Sequence, residues 1–254
     1  MNPFYFGTEQ RRLFGIYRPA RTPPRVARAA LLCNSFGSEY QRAHRSVRRL
    51  GELLTDVGYH VMRFDYFGAG DSAGDSLEVD VPGWADDVRT AVDELRDMAE
   101  VSRITVVGLR FGALLAAHAL EGRSDVERMI LWDPVVSGSD YATELERLAE
   151  PQSGGSGSLQ ALEVRGFPLP RAVLGQIAAM GLTSSVARLG CPVLAVASGQ
   201  DPSYSRLEET LSTNAGPGCE YVMCPDTSAW VEQQGLGAGA IPAKLLERIV
   251  QWCK

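Results

Sequence analysis

The sequence predicts an α/β protein built on a mostly parallel, doubly wound sheet, and three observations carry that expectation. Short apolar runs alternate with amphipathic stretches along most of the 254 residues, the pattern of parallel strands separated by covering helices. The runs have strand length, and several open into glycine-rich loops. One stretch, residues 137–189, breaks this rhythm between two apolar runs and is expected to form a small helical cap. The expected division is a core of residues 1–136 and 190–254, with the cap at 137–189.

Residues 13–17 read as an antiparallel edge strand. Residues 29–33 (AALLC) are apolar throughout and run into a Gly/Ser loop, so a buried strand is expected. A helix over 40–56 stops at Gly58, a residue suited to the left-handed turn that ends helices. Residues 59–65 give the next strand, followed by the glycine-rich loop 66–74. Trp84, Val88, Ala91, Val92, Leu95 and Met98 recur at helical spacing, which predicts a helix over 84–99. A strand at 104–107 leads into a helix at 113–120. Another strand, 129–132, ends at Asp133-Pro134. Strands at 193–197 and 221–223 complete a core of five or six. Within the cap the sequence predicts a charged helix at 141–149, a flexible Gly/Ser connection at 153–158, then Pro168, Pro170 and a further helix.

Composition excludes some functions. A net charge of −6 gives no general attraction for nucleic acid. The local exception, Arg42, Arg45, Arg48 and Arg49, has the spacing of a solvated helix face. The five cysteines, Cys33, Cys191, Cys219, Cys224 and Cys253, are odd in number and match no zinc spacing. There is no basic-then-apolar leader and no apolar run of membrane-spanning length. A reduced, cytoplasmic protein with no metal and no cofactor is expected.

The chemistry-bearing motif is Gly108-Leu109-Arg110-Phe111-Gly112, placed between a strand and a helix. That context is the nucleophile elbow, in which two glycines permit a tight strand-to-helix crossing. Cys33-Asn34-Ser35-Phe36-Gly37 looks like an oxyanion-loop segment. Residues 63–74 (RFDYFGAGDSAG) carry an F-D-x-x-G-x-G-x-S block, and Trp84, Asp86 and Asp87 match the helix that follows it. In this order the segments resemble the α/β-hydrolase superfamily, specifically its serine-aminopeptidase-like branch. The resemblance covers essentially the whole chain and implies the α/β-hydrolase fold. GLRFGA at 108–113, LWDPVVSG at 131–138 and EVRGFPL at 163–169 are similar to the second type of exosortase-A-system-associated hydrolases. That resemblance implies a biosynthetic setting.

It also implies a serine, a histidine and a carboxylate at defined places, and two of the three differ here. Arg110 stands where the nucleophile is expected. A guanidinium is permanently protonated and has no lone pair with which to attack. No histidine follows His118, although the base should lie within residues 223–230. Asp201 holds the place of the acid, and Asp133 the place some relatives use. His44, His60 and His118 read as structural or surface residues, with His44 least remote from the cleft. Cys33 could face the cleft as a thiolate if Arg110 lowered its pKa, or fill the interior as a small apolar group. Ser35 and Ser228 sit on cleft-facing loops without a base, and Cys224 lies near the place of the missing histidine.

Arg110 would project over a helix N-terminus whose amides favour negative charge. With the amides of Phe111 and of Ser35 and Phe36 it would seat a carboxylate, enolate or phosphate. The competing expectation is an internal salt bridge from Arg110 to Asp201 or Asp133. Glu39 and Tyr40 are placed to contact a ligand. Asp65, Asp71 and Ser72 read as loop braces, and Trp132, Phe111 and Trp230 as packing. Three functions remain open: a non-hydrolytic enzyme acting on a small acyl or carboxylate-bearing molecule, an inactive binding or accessory protein, and a cryptic thioesterase or esterase using Cys33 or an activated water. The expected partners are a small-molecule substrate and a homodimer mate or biosynthetic-cluster protein.

Overall fold

The computed structural model describes residues 1–22, 26–149, 160–213, 218–234 and 239–254. Its centre is an eight-stranded sheet. In chain order the strands are β1 (Asn2–Gly7), β2 (Arg12–Arg18), β3 (Arg28–Cys33), β4 (Tyr59–Asp65), β5 (Ile104–Leu109), β6 (Val126–Trp132), β9 (Val193–Ala197) and β10 (Glu220–Met223). In space they run β1-β2-β4-β3-β5-β6-β9-β10. Strand β2 pairs antiparallel with both its neighbours, β1 and β4, and every other pairing in this sheet is parallel. This is the α/β-hydrolase fold that the sequence predicts.

The period-2 alternation of strands sorts the apolar residues into two cores. On β3, Ala29, Leu31 and Cys33 enter one core, and Ala30 and Leu32 the other. Helices α1 (Gly37–Asp56) and α8 (Ala243–Trp252) cover the second face. The buried stripe of α1 is Ala43, Val47, Leu50 and Leu54, at the spacing that puts one apolar line against a sheet. Helices α2 (Val81–Ala99) and α3 (Phe111–Ala119) cover the opposite face. Helix α2 begins where the Asp80 carboxylate accepts the Gly83 amide at 2.7 Å, and it ends at Glu100 in the left-handed conformation. Helix α7 (Tyr204–Thr213) adds Leu207 and Leu211 to that side.

Between β6 and β9 the chain leaves the sheet. It forms α4 (Gly138–Leu148), a two-stranded antiparallel hairpin β7 (Ala161–Val164) and β8 (Phe167–Pro170), then α5 (Arg171–Ala178) and α6 (Leu182–Val186). Tyr141, Leu145, Leu169, Val173 and Ile177 from this segment join the core on the α2 face. The Val81 amide donates to Gln176 at 2.8 Å, tying α5 to the start of α2. The Gly/Ser connection expected at 153–158 lies outside the described residues. No helix among the described residues is long and apolar enough to cross a membrane. No cluster of metal-ligating side chains occurs among them either.

Candidate functional site

The site begins with a strained backbone. Strand β5 turns into α3 at Arg110, which holds φ 55° and ψ −123°, a conformation that costs a non-glycine residue energy. A side chain on Gly108 would meet the backbone of Ala113, and one on Gly112 would meet the carbonyls of Cys33 and Asn34. Both glycines are therefore sterically required. The turn is fixed by hydrogen bonds from the Arg110 amide to Trp132 O and from the Ala113 amide to Arg110 O, each 3.0 Å. The elbow is formed as expected, with an arginine at its apex.

The Arg110 side chain is 8% exposed and stands against two carboxylates and two aromatic rings. Its Nε donates to Glu39 Oε1 at 3.1 Å. Its Nη2 lies 3.8 Å from Glu144 Oε2. The guanidinium carbon sits 3.8 Å above the Trp230 ring and 5.6 Å from that of Tyr141. Burial disfavours the charged guanidinium, but the facing Glu39 carboxylate, with Tyr141 and Tyr204, holds its pKa above the ordinary arginine value. The second oxygen of Glu39 accepts from Ser35 Oγ at 2.6 Å and from the Tyr141 hydroxyl at 3.1 Å. Burial, followed by the Glu39 charge, pushes the Tyr141 hydroxyl well above its usual pKa, so it remains a donor. Glu39 reaches this position because it lies in the first turn of α1, directly after the loop that leaves β3.

Several expectations are corrected by this geometry. The counter-charge of Arg110 is Glu39, neither Asp201 nor Asp133. Asp201 braces the start of α7 through the amide and hydroxyl of Ser203, at 2.8 and 2.6 Å. Asp133 is 2% exposed and accepts from the Ser198 amide at 2.6 Å and its hydroxyl at 2.8 Å. Burial, outweighing these donors, raises the Asp133 pKa above the usual aspartate value. Trp230 stands between the two charges, with its Nε1 3.4 Å from Asp133 Oδ2 and its ring against the guanidinium. The packing role expected of Trp230 thus includes sheltering a cation.

Cys33 is 1% exposed in the core on the α2 face, and burial pushes its thiol far above the ordinary cysteine range. It offers no thiolate to the cleft, and Arg110 does not lower it. Ser228 Oγ is 3.1 Å from Ser198 Oγ, one link from Asp133. Cys224, with a thiol raised by partial burial, donates its amide to Ala197 O at 2.9 Å. The histidines lie apart from Arg110: His60 contacts the Tyr17 hydroxyl, His44 the Gln41 carbonyl and His118 the Glu121 carboxylate. The amides of Phe36 and Phe111 have no acceptor among the described residues. The Ser35 amide meets Asn34 Oδ1 at 3.2 Å.

Beside this ion pair lies a cavity of about 360 Å³. Glu39, Ser35 and Tyr141 form part of its wall, whereas Arg110 lies behind them and does not line it. The glycine-rich loop contributes Asp65, Gly68 and Gly70, and the segment after β6 contributes Leu145, Val164 and Phe167. Asp65 braces the loop as expected, accepting from the Tyr40 hydroxyl at 2.7 Å and the Asp71 amide at 3.1 Å. Ser72 does the same between Asp65 O and the Phe14 amide. Tyr141 and Glu144 were not anticipated at the site. Their signal was available only in hindsight of the fold, as two residues one turn apart on the helix that follows Asp133.

Comparison with known proteins agrees with this architecture. Among curated proteins, the mitochondrial palmitoyl-protein thioesterase ABHD10 of Homo sapiens is 34% identical over 74 residues, 29% of this chain and 23% of that protein. Its Rattus norvegicus counterpart is 29% identical over 150 residues, 56% of this chain and 48% of that protein. The chain thus spans from a quarter to about half of the length of the curated relatives it matches. Est1E from Butyrivibrio proteoclasticus, solved with ferulic acid bound, superimposes with a TM-score of 0.74 at 18% identity, covering 98% of this chain and 95% of that one. Mouse alpha/beta hydrolase domain-containing protein 10 gives a TM-score of 0.68 at 18% identity, covering 100% and 98%. At these identities the structural likeness shows the fold alone. The description "Serine aminopeptidase, S33" matches residues 25–159, more than half of the chain, so this protein belongs to the S33 serine aminopeptidase-like family of α/β hydrolases.

Proposed function

We propose that this chain is a hydrolase-fold protein that binds a hydrocarbon-rich small molecule in the cavity beside α1 and does not perform serine-triad hydrolysis. The observation that carries the reading is the Arg110–Glu39 contact at 3.1 Å, with Ser35 and Tyr141 closing on the same carboxylate. A cation at the nucleophile position, already matched by an internal anion, has neither a lone pair to attack with nor free charge to seat a substrate carboxylate. The sequence supports this, having no histidine after His118. A cavity is nevertheless present, and Tyr141, Leu145, Val164 and Phe167 from the segment after β6 close one side of it. Similarity to a thioesterase named for palmitoyl-protein supports an acyl-like, hydrocarbon-rich occupant. The resemblance to exosortase-A-system-associated hydrolases supports a biosynthetic setting, and the unpaired cysteines support a reducing, cytoplasmic one.

The test is binding of 4-phenylbutanol, followed by calorimetry, beside turnover of p-nitrophenyl butyrate. Wild type should bind the alcohol, Leu145→Trp should lose it by filling the cavity, and neither should hydrolyse the ester. Ester hydrolysis by the wild type, or fluorophosphonate labelling of Ser35 or Ser228, would overturn the reading. A second reading is favoured by the Phe36 amide, which has no acceptor among the described residues and belongs to a residue that lines the cavity with Glu39. In it Glu39 accepts a proton from a bound carbonyl compound while that amide steadies the oxyanion. Deuterium exchange into a bound ketone by wild type but not by Glu39→Gln decides for it.

A further inference from the structure

The wall of this cavity is one-sided in charge and rich in aromatic rings. Phe36, Tyr40, Tyr66, Trp84, Tyr141 and Phe167 all line it, and among the described residues no lysine, arginine or histidine does. Several of the rings hold one another in place, Phe36 stacking on Trp84 at 5.4 Å and meeting Tyr141 edge-on at 6.2 Å. Two carboxylates, Glu39 and Asp65, are the charged groups of the described wall, beside the neutral Ser35, Ser38, Gln41 and Ser76. Glu39 is neutralised from behind by Arg110. Asp65 differs. Its oxygens accept from Tyr40 and the Asp71 amide, which are neutral donors, and no cation stands within ion-pair distance among the described residues. Arg63, the nearest cation along β4, attracts it only from beyond contact.

We propose that the cavity selects a cationic ligand, an amine or quaternary ammonium carried on a hydrocarbon or aryl body, with the ammonium among the aromatic rings at Asp65. This deepens the preceding reading and rests on it, because it requires the same cavity to be a ligand site. Aromatic faces attract a cation through the negative face of the ring, and the attraction grows when the cation leaves water. The unmatched Asp65 charge adds to it, and the cavity volume of about 360 Å³ suits a compact small molecule. A carboxylate in the same place would face Asp65 and Glu39 with no cation to receive it.

Three probes of matched size decide the matter: 4-phenylbutylamine, 4-phenylbutanol and 4-phenylbutyrate, titrated calorimetrically into the full chain at neutral pH and low salt. The expected order is amine first by at least tenfold over the alcohol, with the carboxylate weakest. Asp65→Asn keeps an acceptor for the loop and should bring the amine to within about threefold of the alcohol. Raising the salt should weaken the amine more than the alcohol. Should Asp65→Asn fail to fold, the wild-type order and its salt dependence still decide. Equal binding of all three, or preference for the carboxylate, overturns the cation selectivity while leaving the pocket reading intact. Absence of binding by all three overturns both.

Discussion

Replacing Glu39 by glutamine removes one charge and almost no volume, and so isolates what the buried ion pair contributes. In Glu39→Gln the guanidinium of Arg110 keeps its place but loses the carboxylate 3.1 Å from its Nε. Arg110 is 8% and Glu39 14% exposed at the side chain, so water cannot readily replace the lost anion. Breaking a pair this buried typically costs about 3–5 kcal/mol. Two features reduce the loss, the Glu144 carboxylate at 3.8 Å and the Trp230 face at 3.8 Å. The glutamine still accepts from Ser35 and Tyr141. A destabilisation of roughly 2–3 kcal/mol is therefore expected, which for a domain of this size lowers Tm by about 4–12 °C. The companion Arg110→Met/Glu39→Gln leaves no stranded charge and should recover most of the loss, giving a coupling of about 2 kcal/mol in a double-mutant cycle. Thermal and urea unfolding of the four proteins measures it. A Glu39→Gln change below about 0.5 kcal/mol with additive single effects would refute the internal pairing, since surface substitutions fall in that range.

Arg110→Ser should place a hydroxyl at the elbow without creating an esterase, and p-nitrophenyl ester turnover above background in that variant would show that another group serves as its base. Native-state iodoacetamide labelling at pH 8 should modify Cys219 and Cys224, both half-buried, well before Cys33, Cys191 or Cys253, which are buried; early labelling of Cys33 would contradict its placement in the core. The Asp133 pKa is raised in the folded state by burial, so its protonated form is favoured by folding. The stabilisation associated with that proton is fully present below the unfolded aspartate pKa and is lost as pH rises through the raised folded value. Relative to Asp133→Asn, wild type should therefore gain stability as pH falls through that window, and a stability gap that stays flat from pH 8 to pH 4 would sink the assignment. Gly112→Ala should fail to accumulate or unfold easily, because its methyl would enter the space of the Cys33 and Asn34 carbonyls; a Tm within 2 °C of wild type would argue against the tight crossing.

Much of the fold was legible because burial on both faces of a parallel sheet writes itself as uninterrupted apolar runs, as at β3, β5 and β9. The elbow was legible because only glycine fits at 108 and 112. Other elements left weaker marks. Strand β1 is mostly exposed and begins beside Pro3, so it shows neither run nor clean alternation. The hairpin β7–β8 has strands of four residues with prolines in one of them, and it follows a Gly/Ser stretch that reads as loop. Helix α1 begins three residues earlier than its periodicity suggests, which brings Glu39 into the first turn. That shift matters at the site. Glu39 was recognisable as a cleft residue, but its partner is 71 positions away, and nothing local marks it as the answer to Arg110. Asp133 and Asp201 stand at or just beyond strand ends, which is what marks them as candidate acids in the sequence. Their own hydroxyl and amide donors, from Ser198 and Ser203, claim them first.

The left-handed elbow has a mechanical consequence. Because Arg110 is pinned by its backbone, the groups gathered on it bind three separate parts of the chain to one rigid point: α1 through Glu39, α4 through Tyr141 and Glu144, and the loop after β10 through Trp230. Helix α4 cannot lift without stripping a buried guanidinium of its neighbours. The residue at the apex of the elbow thus joins the two faces of the site and the loop after β10 into one cross-braced unit.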